Sequence, residues 1–234
     1  MYHSITLGDK NTWDDWHLIP KSRPLFNPPS VKTNYIEIPG GDGSLDLTTA
    51  LAGRPVYKNR TGSWEFYVEN GFKDWAVLYS EIMTYLHGKK LKAILEDDPD
   101  YYYEGRFAVN AWKSDPNWSI ITIDYEVAPY KRSLVAAGND WLWDTFNFET
   151  DVIRSYENLP VSGSLTVVVV GDSMPVPPTI VASTAGMTVI YNGDTYNLNK
   201  GSNYISELTI QEGENTFIFG GTGTITILYE RGRL

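Results

Sequence analysis

In one part of this 234-residue chain, apolar residues recur with the period of an α-helix. Between residues 75 and 86, apolar side chains recur at steps of three and four, which places them on one face of a helix. They are Trp75, Leu78, Tyr79, Ile82, Tyr85 and Leu86. Asp74 is a suitable cap for the start, and Gly88 is a suitable left-handed stop. The pattern predicts one amphipathic helix in the first half of the chain.

The rest of the first half shows the period of two that is typical of strands. The clearest case is ITIDYEV, in which Ile121, Ile123, Tyr125 and Val127 fall on one face. NYIEIP, SWEFYVE, LKAILED and EGRFAVNAW are short, rich in aromatic or apolar residues, and bounded by Gly, Pro, Asp or Asn. This half is therefore expected to form a β-sandwich or barrel-like domain with one α-helix.

The second half reads almost entirely as strand and turn. SLTVVVVG and TIVAST are β-branched runs, and Asn192-Gly193 between two strands is a strong hairpin motif. Three further strands are predicted between residues 203 and 230. We interpret two glycine-rich motifs as hairpin turns, PGGDGS in the first half and GGTGT in the second. Short strands at this spacing are typical of an antiparallel sandwich. The whole chain is thus expected to be mainly β.

A change in composition predicts two domains. All eight tryptophans lie at or before Trp143, and the chain beyond it is rich in Val, Ile, Thr, Gly and Asn. We place an N-terminal domain at 1–134 and a C-terminal domain at 135–234, with a linker at about 131–150. The pairs Trp13–Trp16 and Trp141–Trp143 are interpreted as covering contacts between domains or subunits, where tryptophan is enriched.

Charge and composition narrow the function classes. The net charge is −10. There are 15 basic and 18 acidic residues up to Leu134, and 4 basic and 11 acidic residues after it. An acidic surface repels phosphate, so this charge disfavours nucleic-acid binding. The absence of cysteine removes disulfides and thiolate chemistry and fits synthesis in a reducing cytoplasm. The three histidines are scattered, so we expect no metal and no cofactor. We also expect no membrane span and no secretion signal.

The stretch KAILEDDPDYYYEGRF, residues 92–107, has the greatest concentration of candidate chemistry. Its acids, Glu96, Asp97, Asp98, Asp100 and Glu104, belong to the residue types that bind metals or cleave glycosidic bonds, and its three tyrosines could stack on sugars. The calcium-loop spacing fails because Tyr102 stands where an acid is needed. The simpler reading is a turn between two strands, and we prefer it.

A long polar segment, PGGDGSLDLTTALAGRPVYKNRTG, lacks periodicity but carries four apolar residues. They are Leu45, Leu47, Leu51 and Val56. A loop of this length in a compact domain is usually functional or folded against something else. We interpret the segment as an arm laid on a neighbouring subunit and these four residues as subunit-interface candidates.

From about Asn34 to Leu134 the chain resembles the distal tail (Dit) proteins of siphophages. The likeness lies in YIEIPGGDGSLDLTTALAGRPVYKNRTGSWEFYV, followed by the helix and strands of WAVLYSEIMTYLHGKKLKAILEDDPDYYYEGRFAVNAWKSDPNWSIITIDYEVAPY. Each motif is short, and it is their order that is specific. EGENTFIFGGTGTITILYERGRL is similar to the C-terminal galectin-like or jelly-roll sandwich of those proteins.

The resemblance implies a non-enzymatic structural hub in the virion, at the tip or baseplate of a long non-contractile tail and synthesised in the bacterial host cytoplasm. Six copies would form a homo-hexamer ring through their N-terminal domains. The ring would join the tail tube protein to tip or baseplate proteins, with receptor-binding proteins attached in some relatives. DNA would pass through the central hole without specific binding.

Two other function classes stay open on the sequence. A carbohydrate-binding module for attachment to the host surface is compatible with the late sandwich and with the aromatic residues. Glycan binding by fragment 145–234, lost on aromatic substitution, would favour it. A tail-associated hydrolase is the weaker alternative, and turnover of cell-wall polysaccharide that disappears in Asp98→Asn would support it.

Overall fold

The structure is a computed structural model that describes residues 2–69, 74–115, 118–134 and 156–234. Its chain divides into two compact units, residues 1–131 with residue 234, and residues 132–233. Most of the predicted linker at 131–150 lies outside the described residues, so the domain boundary at Leu134 stays a prediction. In the described part no helix is long and apolar enough to cross a membrane.

The first unit is built on an antiparallel sheet with one helix. Its strands are β1 (Ile5–Leu7), β2 (Lys10–Asn11), β3 (Leu18–Pro20), β4 (Tyr35–Glu37), β5 (Ser44–Asp46), β6 (Arg60–Val68), β7 (Lys90–Leu95), β8 (Asp98–Asp115) and β9 (Trp118–Val127). The main sheet has the order β2-β1-β7-β8-β9-β6-β3, and β4 pairs only with β5 in a separate two-stranded sheet. The short strand β10 (Lys131–Ser133) follows.

The predicted helix is confirmed as α1 (Trp75–Leu86). The Asp74 side chain accepts a hydrogen bond from the Ala76 backbone N–H at 2.9 Å, which satisfies a free donor of the first turn. Leu78, Ile82 and Leu86 are fully buried against the sheet, as the spacing predicts. The chain leaves the helix at Gly88, whose φ of +75° is the left-handed stop expected from the sequence.

The core of the first unit lies between the helix and one face of the sheet. The alternation predicted for β9 is confirmed, because Ile121, Ile123, Tyr125 and Val127 are all at least 96% buried. Trp16 is also fully buried in this core. Its predicted role at a domain or subunit contact is therefore wrong, because it packs among the core residues of its own unit.

The second unit is a curled antiparallel sheet. Its strands are β11 (Leu159–Gly171), β12 (Thr179–Ala182), β13 (Met187–Tyr191), β14 (Asp194–Leu198), β15 (Gly201–Tyr204), β16 (Gly213–Leu228) and β17 (Gly232–Arg233). The path is β14-β13-β16-β12-β15, and β11 lies along β16. The expected fold class, mainly β with sandwich- or barrel-like sheets and one helix, is confirmed.

The two glycine-rich motifs behave differently. PGGDGS connects β4 to β5 and is a hairpin turn, as predicted. GGTGT lies inside β16, which runs unbroken from Gly213 to Leu228, so the turn predicted there is wrong. Gly223 has φ +152°, and a Cβ added to it would stand 2.6 Å from the Thr184 hydroxyl. Glycine here permits a kink and a close approach within one strand.

The Asn192-Gly193 hairpin is confirmed between β13 and β14. Tyr191 pairs with Asp194, so the loop has two residues. Both have positive φ, 51° at Asn192 and +90° at Gly193, as a turn matching the twist of the strands requires.

Two asparagines with the same local pattern begin strands in the second unit. Asn215 Nδ2 donates to the carbonyls of Gln211 (2.7 Å) and Gly213 (2.9 Å), and its Oδ1 accepts from the Gln211 N–H at 2.9 Å. Asn203 makes the equivalent bonds to Asn199 and Gly201. Asn215 is 5% exposed, whereas Asn203 is only partly buried.

We expect Asn215→Ala to destabilise the second unit by about 3 kcal/mol, since it leaves several buried groups without a partner. They include the Gln211 N–H, 2.9 Å from Asn215 Oδ1, and the Gln211 carbonyl, 2.7 Å from Asn215 Nδ2. Asn203→Ala removes the same local bonds where water replaces them, so we expect about 1 kcal/mol. Denaturant unfolding measures both, and equal losses would refute the assigned role of burial.

Candidate functional site

Residues 30–58 form an arm that leaves the first unit and returns to it. Its two sides are joined by backbone hydrogen bonds, from Lys58 N–H to Ser30 O at 2.8 Å and from Lys32 N–H to Val56 O at 2.7 Å. Further out, Leu47 N–H donates to Asn34 O at 2.8 Å, and the β4–β5 hairpin follows. No residue from 27 to 59 is buried. The arm thus pairs part of its own backbone but fully buries none of its side chains.

The β4–β5 hairpin of the arm has one apolar face. Ile36 pairs with Leu45, and because side chains alternate along a strand, Ile38 and Leu47 fall on the same side. We call these four residues the apolar stripe. The other face carries Tyr35, Glu37, Ser44 and Asp46. Ile36, Ile38 and Leu45 are 48%, 54% and 49% exposed, so this stripe faces solvent in the isolated chain.

The four interface candidates from the sequence are all in the arm, but only two lie in the stripe. Leu45 and Leu47 belong to it, whereas Leu51 lies in the turns after β5 and is fully exposed. Val56 is half-buried on the returning side. Ile36 and Ile38 were missed, although the alternation of NYIEIP would have found them. With one chain in the structure, an interface role for the four candidates stays a prediction.

The arm is held at its root by a strap, residues 24–28, that crosses the core. Phe26 is 9% exposed and inserts its ring among three aromatic side chains of the sheet. The ring centroids lie 4.0 Å from Tyr103, 4.8 Å from Tyr125 and 4.9 Å from Trp64. The neighbouring Leu25 points away and is 62% exposed. Phe26 is therefore the apolar anchor of the arm.

Polar side chains of the sheet bind the backbone of the strap. The indole N–H of Trp64 donates to Leu25 O at 2.9 Å. The Tyr125 hydroxyl accepts from the Asn27 N–H at 2.9 Å, and burial raises the pKa of this tyrosine. Asn27 Nδ2 donates to Thr61 O at 2.9 Å. The strap is fixed on both sides of Phe26, so the arm leaves the unit in a defined direction.

Arg60 joins the two ends of the arm at its root. Its Nε donates to Pro129 O at 2.8 Å and its Nη1 to Asn27 O at 3.1 Å. The side chain is 5% exposed, and its guanidinium carbon lies 5.4 Å from the Tyr103 ring centroid. Burial lowers the pKa of Arg60 from its ordinary value. The fork of guanidinium donors lets one side chain reach two carbonyls.

We expect Arg60→Lys to destabilise the first unit by about 2 kcal/mol, because one ammonium replaces a buried fork that donates to two carbonyls. The matched control is Arg54→Lys in the arm. Arg54 is half-buried and bonds its neighbour Pro55 O at 3.2 Å, so we expect less than about 0.5 kcal/mol. Chemical denaturation of both variants is the measurement. Similar losses of stability in the two variants would show that Arg60 does not hold the two ends of the arm together.

The stretch KAILEDDPDYYYEGRF is a hairpin, as preferred from the sequence. Strand β7 pairs with β8, and Leu95 pairs with Asp98 across a turn of two residues, Glu96 and Asp97. The turn is shorter than DDPD, because Asp98 and Pro99 already belong to β8.

The acids of this hairpin bind basic groups and backbone of the first unit. Asp97 meets the Arg23 Nε at 2.8 Å and His3 Nδ1 at 2.9 Å, and the bond from Arg23 is the main cause that lowers the pKa of Asp97. The Lys131 ammonium lies 2.6 Å from Asp98. Within the described ranges no group of three or more His, Cys, Asp or Glu is placed to hold a metal. Asp97 and Asp98 thus tie the hairpin to other parts of the first unit.

The three tyrosines are covered rather than offered to a ligand. Tyr102 and Tyr103 are 5% and 8% exposed. The Lys92 ammonium lies 4.2 Å from the Tyr102 ring centroid, and that of Lys131 lies 4.2 Å from the centroid of Tyr101. A stacking platform for sugars on this stretch is therefore not supported.

A second exposed apolar surface of the first unit lies on α1 and β8. Trp75 and Tyr79 of the helix contact Trp112 of β8, with ring centroids 5.7 Å and 5.0 Å apart. Trp112 is 50% exposed. We call these three residues the aromatic patch. Of the tryptophan pairs interpreted as contact surfaces, Trp13 stacks on Tyr2 at 3.8 Å, and Trp141–Trp143 lies outside the described residues.

Comparison with known proteins gives a fold but no family by sequence. The sequence matches no protein-family model and no curated protein. The structure is similar to the crystal structure of SPP1 Dit, described as a paradigm of the hub adsorption apparatus in phages that infect Gram-positive bacteria. The similarity covers 100% of both chains, with a TM-score of 0.61 and 13% sequence identity. The resemblance expected from the sequence is thus confirmed as a shared fold.

Proposed function

We propose that the chain is a structural hub at the distal end of a siphophage tail. Six copies form a ring through their N-terminal domains, and the ring joins the tail tube to the tip or baseplate and its receptor-binding proteins. The full-length similarity to SPP1 Dit supports a hub of this kind. The chain would then be a virion component without enzymatic activity.

The observation that carries the proposal is the arm. It extends from an anchored root, no residue from 27 to 59 is buried, and the described residues of its own chain leave its apolar stripe exposed. Exposed apolar surface of this kind typically marks a protein contact. In a closed ring each copy gives one surface and receives another, so a single arm per chain is sufficient.

The acidic balance of the chain suits a conduit. The N-terminal domain predicted at 1–134 carries a formal charge of −3. A wall of this sign repels phosphate, so DNA passes through the hole without being held.

Negative-stain imaging of the purified chain with the tail tube protein of the same virion tests the hub role. We expect six-fold rings for the purified chain alone and rings bound to tube ends in the mixture. Bare tube ends beside single molecules would contradict the proposal.

A further inference from the structure

The second unit has a long edge strand without a charged residue. Strand β11 has the sequence LPVSGSLTVVVVG, and among the described strands it pairs only with β16. An edge strand exposes a row of backbone N–H and C=O groups, and proteins usually blunt such an edge with charged side chains, with proline or with a cover. In β11 a cover lies at one end and a proline at the other, and the stretch between them is open.

Two tyrosine hydroxyls show which backbone groups of β11 point away from β16. The Tyr156 hydroxyl donates to Val168 O and accepts from the Val170 N–H, both at 3.3 Å. The Tyr229 hydroxyl donates to Val170 O at 3.0 Å. The β11–β16 register is unbroken, so the backbone direction alternates along the whole strand. The outward groups are therefore those of residues 160, 162, 164, 166, 168 and 170.

Residues 160–168 form what we call the open edge. At its start Pro160 has no N–H to donate, and just past its end both backbone groups of Val170 are bonded to tyrosine hydroxyls. Ser162, Ser164 and Thr166 between them are exposed, and no described residue bonds their outward backbone groups. A further strand can thus be added here, over a short and sharply limited stretch.

We propose that the open edge pairs with the open edge of a second copy, antiparallel, about a two-fold axis between the two Ser164 residues. In this register Ser162 of one copy lies opposite Thr166 of the other, and Pro160 lies opposite Val168. The backbone groups of the last pair also match. Pro160 has no N–H to donate, Val168 O already accepts from Tyr156, and the Val168 N–H donates to Pro160 O.

Neighbouring registers leave backbone groups without partners. With the axis at Gly163, Pro160 lies opposite Thr166, whose carbonyl then receives no donor. With the axis at Leu165, the Ser162 N–H points at Val168 O, which the Tyr156 hydroxyl already occupies. The axis at Ser164 alone matches each open donor with an open acceptor. This self-complementarity is the reason for naming a second copy as the occupant.

The side chains that meet in this register are compatible. Ser162 and Thr166 bring two hydroxyls together, and Val168, which is 44% exposed, meets the Pro160 ring. Cross-strand pairs of hydroxyl or apolar residues stabilise a sheet, whereas like charges placed opposite each other destabilise it. A two-fold pairing sets each residue type against the same strand, and β11 has no charge to oppose.

The pairing is separate from the contact proposed for the ring. A two-fold contact uses the same patch on both copies, whereas a ring contact joins two different patches. The open edge also involves far fewer residues on each side than a standard interface. Dilute chains therefore pair weakly through it, and the mass of a ring in dilute solution does not change.

The chain has no cysteine, so disulfide trapping reads the register directly. Ser164→Cys brings two thiols opposite each other, with Cα atoms about 5.5 Å apart and within reach of a disulfide. Under mild oxidation of the concentrated full-length chain, we expect its band to shift from one chain to two on a non-reducing gel.

Ser162→Cys is the matched control on the same edge. Its symmetry mate lies about 13 Å away along the strand, so the band should stay at one chain. Thr166→Cys alone should behave in the same way. An equal mixture of Ser162→Cys and Thr166→Cys should again give the two-chain band, because these positions lie opposite each other.

The cross-linking pattern decides the proposal. A two-chain band from Ser164→Cys and from the mixture, but from neither single control, supports the register. Equal cross-linking of Ser164→Cys and Ser162→Cys would show random collision, and no cross-link in Ser164→Cys would show that the open edge does not bind a second copy. Either result overturns the proposal and leaves the ring standing.

Discussion

Leu45→Asp should reduce the assembly to single chains, a sixfold fall in mass. Leu45 lies in the middle of the stripe, directly opposite Ile36, and is 49% exposed before assembly. A carboxylate there would be buried at every contact of the ring. A loss of about 2 kcal/mol at one contact weakens it roughly 30-fold, and a closed ring repeats that loss at each of its interfaces.

The control is Val168→Asp in the second unit, which places the same charge on an apolar side chain that is 44% exposed. We expect it to leave the mass unchanged. Deletion of residues 42–52, which removes β5 and Leu51, should act like Leu45→Asp. Unaltered mass in both arm variants would exclude the arm from assembly, provided that circular dichroism shows native sheet content.

Phe26→Ala should cost about 3–5 kcal/mol, because it removes a large ring from a packed aromatic cluster and leaves a cavity. The cluster is Trp64, Tyr103 and Tyr125. The root of the arm should loosen as well. Tryptic cleavage at Lys32 and Lys58 is therefore expected to accelerate along with the loss of stability.

Leu25→Ala is the matched control, one residue away on the exposed side of the strap. We expect a change within about 0.5 kcal/mol, as is usual for surface positions. Equal effects in guanidinium unfolding would show that Phe26 does not anchor the strap.

Short-range sequence patterns predicted the elements whose structure depends on residues close together in the chain. The helix follows from its apolar spacing and its cap, and the β13–β14 hairpin follows from Asn192-Gly193. GGTGT failed because its glycines serve contacts with Thr184 and Met187, which are distant in the chain and not visible in the local sequence. A glycine-rich sequence therefore forms a turn at PGGDGS and part of a kinked strand at GGTGT.

The arm was predicted, but its root was not. The strap sequence RPLFNPPS has no periodicity, and its partners are far along the chain, since Tyr125 is 98 residues from Asn27. Trp112 falls in the aromatic patch only because a bulge precedes it. Contacts of this range depend on the assembled sheet, so single-sequence patterns carry no trace of them.

The solution mass of the unmodified chain, by light scattering coupled to size exclusion, tests the ring most directly. Six copies of the 26.4 kDa chain amount to about 158 kDa, and the account predicts that mass for the chain alone. If the ring closes only on its partner, the account predicts a mass above about 158 kDa after the tail tube protein is added. A mass of 26.4 kDa under both conditions would contradict it.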